Sequence, residues 1–316
     1  MKIYLSQDAA AKALGSEAVA EAIRTEAAKA GIEMTLVRTG SRGMIWLEPL
    51  LEVETPEGRM AYGPMTPADV AGVLAGKSRK ALGRTEDLPW MKGQTRLTFQ
   101  RVGVIDPLSL ADYGAHGGLK GLRRALSMTG TDIVAEVTES GLRGRGGAGF
   151  PTGIKWKTVA EAKADRKYIV CNADEGDSGT FADRMLMEGD PFCLIEGMAI
   201  AGIAVGATKG YVYLRSEYPD AIEVMNEACA IARAEGLLGA SVLGSGKAFD
   251  MEVRVGAGAY VCGEETSLLN SLEGKRGVVR AKPPLPAIKG FLGRPTVVNN
   301  VISLASVPVI LDRGPE

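Results

Sequence analysis

The sequence contains very little histidine and cysteine, and this limits the chemistry that it can perform. Its 316 residues include one histidine, His116, and four cysteines, at positions 171, 193, 229 and 262. Because His116 lies alone in a glycine-rich loop, acid–base catalysis by histidine is not expected. The cysteines have no metal-ligand spacing and imply no disulfide framework. Unpaired cysteines are typical of a reducing compartment, so the composition predicts a cytoplasmic protein.

The chain also lacks an excess of charge and lacks a long apolar run. Its 37 basic and 38 acidic residues nearly balance, which argues against a general attraction to nucleic acid or to a membrane surface. The longest apolar candidate, 197–207, is shorter than the ~18 residues of a membrane span and is expected to be a buried helix. Residues 1–6 resemble a strand and contain no signal-peptide core. These features predict a globular protein of about two domains with no membrane span.

Glycine, in contrast, is abundant, with 41 residues in the chain. Six of them fall within residues 141–153, which read GLRGRGGAGFPTG and are followed by Lys155 and Lys157. Glycine allows the backbone to approach a ligand closely, and successive free N–H groups form a concave binding site for anions. The segment therefore predicts a site for a phosphate-bearing cofactor. The alternative is a flexible hinge, which the arginines, phenylalanine and lysines of the segment disfavour.

Two common phosphate-binding motifs do not explain this segment. Gly76-Lys77-Ser78 ends like a P-loop, but the upstream glycine that a P-loop needs is replaced by Ala71. The pattern G-x-G-x-x-G occurs at 144–149, but it follows an expected helix rather than a strand and runs into Pro151. A standard Rossmann fingerprint is therefore not expected.

Hydrophobic patterning predicts alternating strands and helices along most of the chain. A small α/β domain is expected at 1–80, a linker at 81–118 and a larger domain at 119–316. In the first domain the pattern predicts strands at 1–5, 33–37, 44–53 and 59–62, and helices at 16–30 and 66–74. In the larger domain it predicts strands at 167–171, 209–214 and 251–256, and helices at 119–128, 131–140, 190–206, 218–235, 264–273 and 299–312. Such alternation is typical of a parallel sheet with helices on its faces.

Polar residues follow the predicted strands of the larger domain, where ligands bind in parallel sheets. Asn172, Asp174, Glu175 and Asp177 follow the first of these strands, and the third leads into the segment GAGAYVCGEET at 256–266. Residues 296–300 place two asparagines before a predicted helix, where phosphate binds well. Each feature has a simpler alternative: an acidic surface turn, carboxylates at a helix start, or capping by asparagine.

Four motifs, at 141–153, 171–175, 256–266 and 295–301, occur in this order. Together they resemble the 51 kDa-type FMN- and NADH-binding family of respiratory complex I, with its relatives in NAD-reducing hydrogenases and in molybdenum- or tungsten-dependent formate dehydrogenases. The resemblance covers about residues 105–316. It implies a Rossmann-like parallel-sheet domain with FMN and NAD as cofactors, and hydride transfer between NADH and FMN.

The resemblance also implies roles for individual residues. Glu175 and Glu264 would be the catalytic carboxylates at the flavin ring. The other flavin contacts would be Gly144, Arg145, Gly146, Gly147, Lys155, Asn172, Asp174, Gly263, Asn299 and Asn300. The nucleotide contacts would be Phe150, Tyr260, Glu265 and Lys282, and Asp177 stands where complex I members carry a glutamate. Thr158 and Leu285 replace stacking phenylalanines of some members, so adenine binding is expected to depend on Phe150.

The two ends of the chain differ from the family pattern. Family members continue beyond the position of Glu316 into a ubiquitin-like domain and a [4Fe–4S] domain, so the chain is expected to be a fragment or a truncated form. Residues 1–80 resemble a thioredoxin-like [2Fe–2S] ferredoxin domain but contain no cysteine, and such a cluster requires thiolates. No metal site is therefore expected.

A cysteine-free first domain, together with the variant DEGDSG at 174–179, most resembles the β subunit of NAD-dependent formate dehydrogenase. The expected partners are then NAD(H), a small [2Fe–2S] thioredoxin-like subunit and a molybdenum- or tungsten-bearing catalytic subunit, without nucleic acid. A complex I or hydrogenase subunit and a non-catalytic assembly module are the alternatives.

Overall fold

The computed structural model describes all residues from Met1 to Glu316. The chain forms two compact units, of which the first contains Met1–Asp112 and Glu188–Asp190 and the second contains Tyr113–Met187 and Pro191–Glu316. The helix Leu110–Ala115 includes the boundary between them. No helix is both long enough and apolar enough to cross a membrane.

The first unit contains a five-stranded sheet. Its elements are β1 (Lys2–Ser6), α1 (Ala9–Ala13), α2 (Ser16–Ala30), β2 (Thr35–Thr39), β3 (Leu51–Thr55), β4 (Gly58–Tyr62), α3 (Val70–Leu74), β5 (Ala81–Arg84) and α4 (Pro89–Lys92), followed by α5 (Leu110–Ala115). The strand order is β2-β1-β3-β4-β5, with β1 and β2 parallel and the other pairs antiparallel. Helix α2 buries one face, with Val19, Ile23 and Ala27, at the helical spacing that its sequence predicts.

The expected linker 81–118 differs from what the structure shows. Strand β5 pairs with β4, where Met60 lies opposite Arg84, so residues 81–112 belong to the first unit. The buried Arg101 donates a hydrogen bond from Nε to Asp190 Oδ2 at 2.8 Å. Short elements with few apolar residues gave no clear periodicity, and this explains why the segment resembled a linker. The strand expected at 44–53 starts only at Leu51, after a 3-10 turn at Ile45–Leu47.

The second unit contains a four-stranded parallel sheet covered by helices. Its elements are α6 (Lys120–Leu126), α7 (Gly130–Glu139), α8 (Thr152–Glu161), β6 (Tyr168–Ala173), α9 (Ala182–Gly189), α10 (Pro191–Val205), β7 (Lys209–Leu214), α11 (Pro219–Ala234), β8 (Asp250–Val255), α12 (Glu265–Leu272), α13 (Pro286–Lys289), β9 (Thr296–Asn300), α14 (Val301–Ala305) and α15 (Val307–Arg313). The strand order is β8-β7-β6-β9, and all three pairings are parallel. The α/β fold class with a parallel-sheet second domain is thereby confirmed.

Three elements of the second unit differ from the sequence predictions. Residues 296–300 form the strand β9 beside β6, although the pattern predicted only a helix start there. The helix expected at 299–312 is divided into α14 and α15, since Pro308 occupies the first turn of α15. Helix α8 begins directly after Pro151, because proline is compatible with a helix start and does not stop the chain there.

Helix α10 lies at the centre of the second unit, as the prediction of a buried helix at 197–207 required. All but one of its residues are buried. Gly197 packs so closely against α14 that a Cβ atom at this position would lie 2.1 Å from the Leu304 carbonyl oxygen. The buried Glu196 carboxylate accepts hydrogen bonds from Tyr113 Oη and from the backbone N–H groups of Leu119 and Leu122, which orients the start of α6.

Candidate functional site

A cleft with two lobes lies at the carboxyl ends of β6 and β9. The first, the lysine lobe, has a volume of about 440 Å³ and contains Lys155 and Lys282 in its wall. The second, the acidic lobe, has a volume of about 690 Å³ and contains Asp174, Asp177 and Asp183. Five residues line both lobes and mark their junction: Gly146, Asn172, Gly263, Glu264 and Asn300.

The structure brings all of the residues that the sequence assigned to the cofactors into this one cleft. Those in the lysine lobe alone are Gly144, Phe150, Lys155, Glu265, Lys282 and Asn299. Those in the acidic lobe alone are Arg145, Gly147, Asp174, Glu175, Asp177 and Tyr260. Their individual roles toward a ligand stay predictions, but their convergence from five separate segments is a property of the fold.

The glycine segment forms a closed loop between α7 and α8. Its two ends are joined by hydrogen bonds from Gly144 N to the Phe150 carbonyl at 2.8 Å and from Thr152 N to the Leu142 carbonyl at 2.9 Å. At the centre of the loop, a Cβ atom on Gly146 would lie 3.1 Å from the Asn300 Cβ atom. Gly147 has a positive φ of 102°. The loop thus needs glycine for its turn and for its close approach to β9.

The two asparagines of β9 are fixed by neighbouring side chains. Asn299 Oδ1 accepts a hydrogen bond from Trp156 Nε1 at 2.8 Å. Asn300 Oδ1 caps helix α14 by accepting from Ile302 N at 2.9 Å, and its Nδ2 donates to Asp183 Oδ2 at 2.7 Å. Asn300 therefore acts as a helix cap, as the simpler alternative proposed, while it also lines both lobes of the cleft.

Glu175, expected at the flavin ring, is engaged by the protein itself. Its carboxylate accepts hydrogen bonds from the backbone N–H groups of Asp183 and Arg184, at 3.0 and 3.2 Å, and from Tyr218 Oη at 3.1 Å. The side chain is buried. Glu175 therefore orients the start of α9, and this role could not be derived from its place in the motif.

Glu264 is likewise engaged on both carboxylate oxygens. Its Oε2 accepts from the backbone N–H groups of Thr266 and Ser267, both at 2.9 Å, and its Oε1 accepts from Lys282 Nζ at 3.1 Å. Burial opposes its ionisation, but the hydrogen bonds and the Lys282 ammonium outweigh burial, so the pKa of Glu264 is lower than usual. A carboxylate of this kind orients α12 and Lys282 and stays ionised at neutral pH.

Two lysines converge on Glu265 in the lysine lobe. Lys282 Nζ lies 2.8 Å from Glu265 Oε1, and Lys155 Nζ lies 3.6 Å from Oε2. Burial lowers the pKa of Lys155. Phe150 and Leu285 border the same lobe with about half of each side chain exposed. The lobe therefore offers apolar surface beside a paired carboxylate and two ammonium groups.

Asp183 is the main site residue that sequence reasoning missed. Its side chain is buried in the acidic lobe beside Glu175. Burial, followed by the charge of Glu175, raises the pKa of Asp183 to about 8, so it holds a proton at neutral pH. The only signal in the sequence was an acidic residue at the start of an amphipathic helix, and the same pattern occurs in ordinary helices.

The cleft has the properties that a bound flavin nucleotide requires. Asp174 Oδ2 is buried without a hydrogen-bond partner, and burial raises the pKa of Asp174 to about 6. An unsatisfied buried acceptor is costly unless a ligand supplies a donor. The glycine loop, the helix start at Asn300 and lobe volumes within the usual range of ligand pockets complete the fit.

Known proteins contain the same domain. Residues 137–309, more than half of the chain, match the family model described as the Nuo51 FMN-binding domain. The NADP-reducing hydrogenase protein HndC of Solidesulfovibrio fructosivorans is 54% identical over 71% of this chain and 45% of its own length. One polypeptide of the NADH-quinone oxidoreductase of Rhizobium meliloti is 54% identical over 68% of this chain and 51% of its own length.

Two further similarities extend over nearly the whole chain. The alpha subunit of the NAD-reducing hydrogenase HoxS of Cupriavidus necator is 36% identical over 99% of this chain and 53% of its own length. A crystal structure of an NAD⁺-reducing [NiFe]-hydrogenase in the H₂-reduced state matches with a TM-score of 0.59 and 30% identity, again over 99% of this chain and 53% of the other. The chain thus spans about half the length of these relatives. Because the domain model matches more than half of its residues, the chain belongs to the 51 kDa-type FMN- and NADH-binding family.

Proposed function

We propose that the chain is the electron-transferring diaphorase unit of a larger enzyme, in which a hydride passes between NAD(H) and FMN. The observation that supports this most directly is the unpartnered buried oxygen of Asp174, which lies in the same cleft as the glycine loop. When bound, FMN would accept two electrons together and release them singly to iron–sulfur clusters. One such cluster is the [4Fe–4S] centre that the resemblance places C-terminal to this region.

The residues of the chain would bind and orient the two cofactors. The glycine loop and the helix start at Asn300 suit the FMN phosphate. Asn172 would bond the flavin where the two lobes meet, Asp174 would bond it in the acidic lobe, and Phe150 would stack on adenine in the lysine lobe. Glu175 and Glu264 act indirectly in this proposal, since their carboxylates are already engaged by backbone N–H groups.

We propose NAD(H) rather than NADP(H) as the nucleotide, although one relative is named as NADP-reducing. Glu265 lies in the lysine lobe, where a carboxylate can accept hydrogen bonds from both ribose hydroxyls. NADP(H) carries a phosphate in place of one of these hydroxyls. The two lysines that pair with Glu265 weaken the repulsion of such a phosphate without removing it.

Flavin extraction and anaerobic reduction test the proposal. The purified chain should release one FMN per molecule, and addition of NADH should bleach the flavin absorbance. Release of FAD, or a folded protein that retains no flavin, would overturn the assignment. Bound FMN that NADH does not bleach would support the alternative of a non-catalytic assembly module.

For the physiological complex, we propose an NAD-dependent formate dehydrogenase. The support is the cysteine-free first unit together with the motif at 174–179. The partners would be a small [2Fe–2S] thioredoxin-like subunit and a molybdenum- or tungsten-bearing subunit. The NADH dehydrogenase subunit of complex I or the diaphorase of an NAD-reducing hydrogenase fits as well. The HoxS alpha subunit and the hydrogenase structure described above each match 99% of the chain.

The native complex distinguishes these alternatives. The complex purified through a tag on this chain should reduce NAD⁺ with formate and contain molybdenum or tungsten. Reduction with hydrogen and the presence of nickel would identify a hydrogenase, and NADH-driven quinone reduction would identify complex I. We also propose a cytoplasmic location, which is favoured by four buried cysteines that form no disulfide. Cell fractionation tests this location.

A further inference from the structure

The segment 273–285, here called the Lys282 loop, joins α12 to α13 without forming a helix or a strand. It carries Lys282 to the edge of the lysine lobe, where the ammonium group pairs with Glu264 and Glu265. A loop of this length has many conformations when it is not held. The position of Lys282 therefore depends on whatever attaches this loop to the rest of the second unit.

Arg280 provides much of this attachment. Its Nε donates to Asn270 Oδ1 at 2.8 Å, one terminal nitrogen donates to the Gly290 carbonyl at 3.0 Å, and the other pairs with Glu273 Oε1 at 2.8 Å. The guanidinium thus connects α12, the start of the loop and the residue that follows α13. Glu273 also accepts a hydrogen bond from Leu292 N at 2.8 Å, which connects the same carboxylate to the far side of the loop.

The backbone of Arg280 connects this attachment to the cleft. Arg280 N donates to Thr266 Oγ1 at 2.9 Å, and the Thr266 hydroxyl donates to Glu264 Oε2 at 2.5 Å. Glu264 in turn accepts from Lys282 Nζ at 3.1 Å. Arg280 and Lys282, which are two residues apart in the sequence, are therefore the two ends of one chain of hydrogen bonds. The Arg280 side chain itself lines neither lobe.

We propose that Arg280 is a positioning residue for the nucleotide: by fixing the Lys282 loop, it holds Lys282 ready for the bound dinucleotide. This inference rests on the proposed function, since it takes NAD(H) as the ligand of the lysine lobe. Three directional bonds from one planar group need arginine, because the lysine ammonium cannot reproduce the guanidinium geometry. Arg280 acts on affinity through Lys282 and takes no part in hydride transfer.

The test compares nucleotide binding by five variants of the FMN-loaded chain. They are Arg280→Ala, Arg280→Lys, Lys282→Ala, the double variant R280A/K282A, and Arg276→Ala as the control. Arg276 is an exposed arginine of the same loop. The readouts are the dissociation constant for NAD⁺ by calorimetry, KM and kcat for NADH with an artificial acceptor, flavin content and Tm.

Arg280→Ala should raise the dissociation constant and KM about tenfold, because a displaced Lys282 loses a charge-assisted hydrogen bond to the nucleotide. The kcat and the flavin content should stay within about twofold of the starting protein, and Arg276→Ala should leave all values unchanged. When Lys282 is already replaced by alanine, the further loss of Arg280 should raise the dissociation constant by less than about twofold, because interactions that act through a shared partner are not additive. Arg280→Lys should show a smaller rise and a smaller loss of Tm than Arg280→Ala, because it keeps the charge but not all three bonds. It provides the comparison if Arg280→Ala does not fold.

The proposal would be overturned if the two substitutions in R280A/K282A changed the dissociation constant for NAD⁺ additively. It would also be overturned if Arg280→Ala and Arg276→Ala changed that constant equally. A fall of kcat without a change of KM would also overturn it. If the starting protein binds neither FMN nor NAD⁺, the proposed function itself fails. If it binds both and Arg280→Ala binds NAD⁺ as tightly, only the inference about Arg280 fails.

Discussion

At the scale of single residues, the cleft contains carboxyl groups in three different states. Glu264 is held ionised by its hydrogen bonds and by Lys282. Asp174 has one buried oxygen without a partner. Asp183 is protonated at neutral pH, because burial and the nearby Glu175 disfavour its charge. The same functional group thus orients a helix, offers a free acceptor or holds a proton, according to its surroundings.

Asp183 should make the stability of the protein depend on pH. Its pKa is about 8 in the folded chain and ~4 for an unfolded aspartate. The folded state therefore binds the Asp183 proton more tightly than the unfolded state does. The stability that this proton contributes to the folded chain is complete below pH ~4 and is lost as the pH rises through the folded pKa. The free energy of unfolding of Asp183→Asn should therefore rise relative to that of the wild type, by up to about 1.4 kcal/mol per pH unit between pH ~5 and 8.

Urea unfolding of both proteins at pH 5, 6, 7, 8 and 9 measures this difference. Comparing the two proteins cancels the contributions of the other carboxyl groups whose pKa is raised, Asp174 and Glu48. The matched control is Asp312→Asn, at an exposed position, and its difference from wild type should not vary with pH. If the difference in unfolding free energy between Asp183→Asn and the wild type were also independent of pH, Asp183 would have an ordinary pKa.

Glu265 should control the choice between NADH and NADPH. A second negative charge ~4 Å from a carboxylate costs about 4 kcal/mol at an effective dielectric constant near 20. In the structure Lys155 and Lys282 offset part of that charge, so a preference below about a hundredfold is expected. Glu265→Gln removes the carboxylate and leaves two ammonium groups for the phosphate. The ratio of kcat/KM for NADPH to that for NADH should therefore rise at least about tenfold.

Steady-state reduction of an artificial acceptor with each nucleotide gives this ratio. Glu161→Gln is the control, because Glu161 is an exposed carboxylate that pairs with a lysine on the same helix as Lys155. An unchanged ratio in Glu265→Gln would mean that Glu265 only stabilises the start of α12, the simpler explanation of its position.

At the scale of elements, α10 packs closely against α14, the helix whose start is capped by Asn300 of the cleft. Gly197 of α10 faces Leu304 and Ala305, the last two residues of α14. A Cβ atom on Gly197 would be 2.1 Å from the Leu304 carbonyl oxygen, far inside van der Waals contact. Since backbone cannot move aside as a flexible side chain can, the separation of the two helices is fixed at this point.

Gly197→Ala should therefore destabilise the protein by about 3 kcal/mol or more, the upper range for overpacking. The matched control is Gly114→Ala in helix α5, where a Cβ atom meets nothing within 4 Å. That substitution should be neutral or should stabilise by up to about 1 kcal/mol, because alanine favours helix. Thermal and urea unfolding of both variants measure the difference, and equal stabilities would contradict the close packing.

At the scale of the whole molecule, the two units differ in their cysteine content. All four cysteines lie in the second unit, and each is buried. In the first unit, which contains no cysteine, two polar residues that follow β2 donate hydrogen bonds to buried carboxylates. Ser41 Oγ donates to Glu48 at 2.8 Å, and the Arg42 guanidinium donates to Glu52 at 3.0 Å.

The isolated chain should therefore show no iron–sulfur signal. Electron paramagnetic resonance of the FMN-loaded chain, reduced with NADH and then with dithionite, should give at most a flavin radical, because a cluster requires thiolates. Iron analysis on the same sample is the control. Iron in stoichiometric amount with a cluster spectrum would contradict this interpretation of the first unit.

The fold class, the family and the segments that form the cleft could all be predicted from the order and type of the residues. Helix α2 and strands β6, β7 and β8 lie within a few residues of their predicted positions, because strong periodicity records which face of an element is buried. The four glycine- and asparagine-containing motifs identified the cofactor segments, because a backbone that approaches a ligand closely restricts the residue types that it can carry.

How these segments act depends on contacts that form only in the folded chain. Strand β9 is recognised by its pairing with β6, more than 120 residues earlier in the chain, and five residues are too short for a clear pattern. Glu175 and Glu264 cap helices, and Asp183 joins the site through Asn300. A carboxylate looks the same in the sequence whether its partner is a ligand or a backbone N–H group. Its partner and its pKa are set by burial and by contacts between residues far apart in the chain, which arise only when the chain is folded.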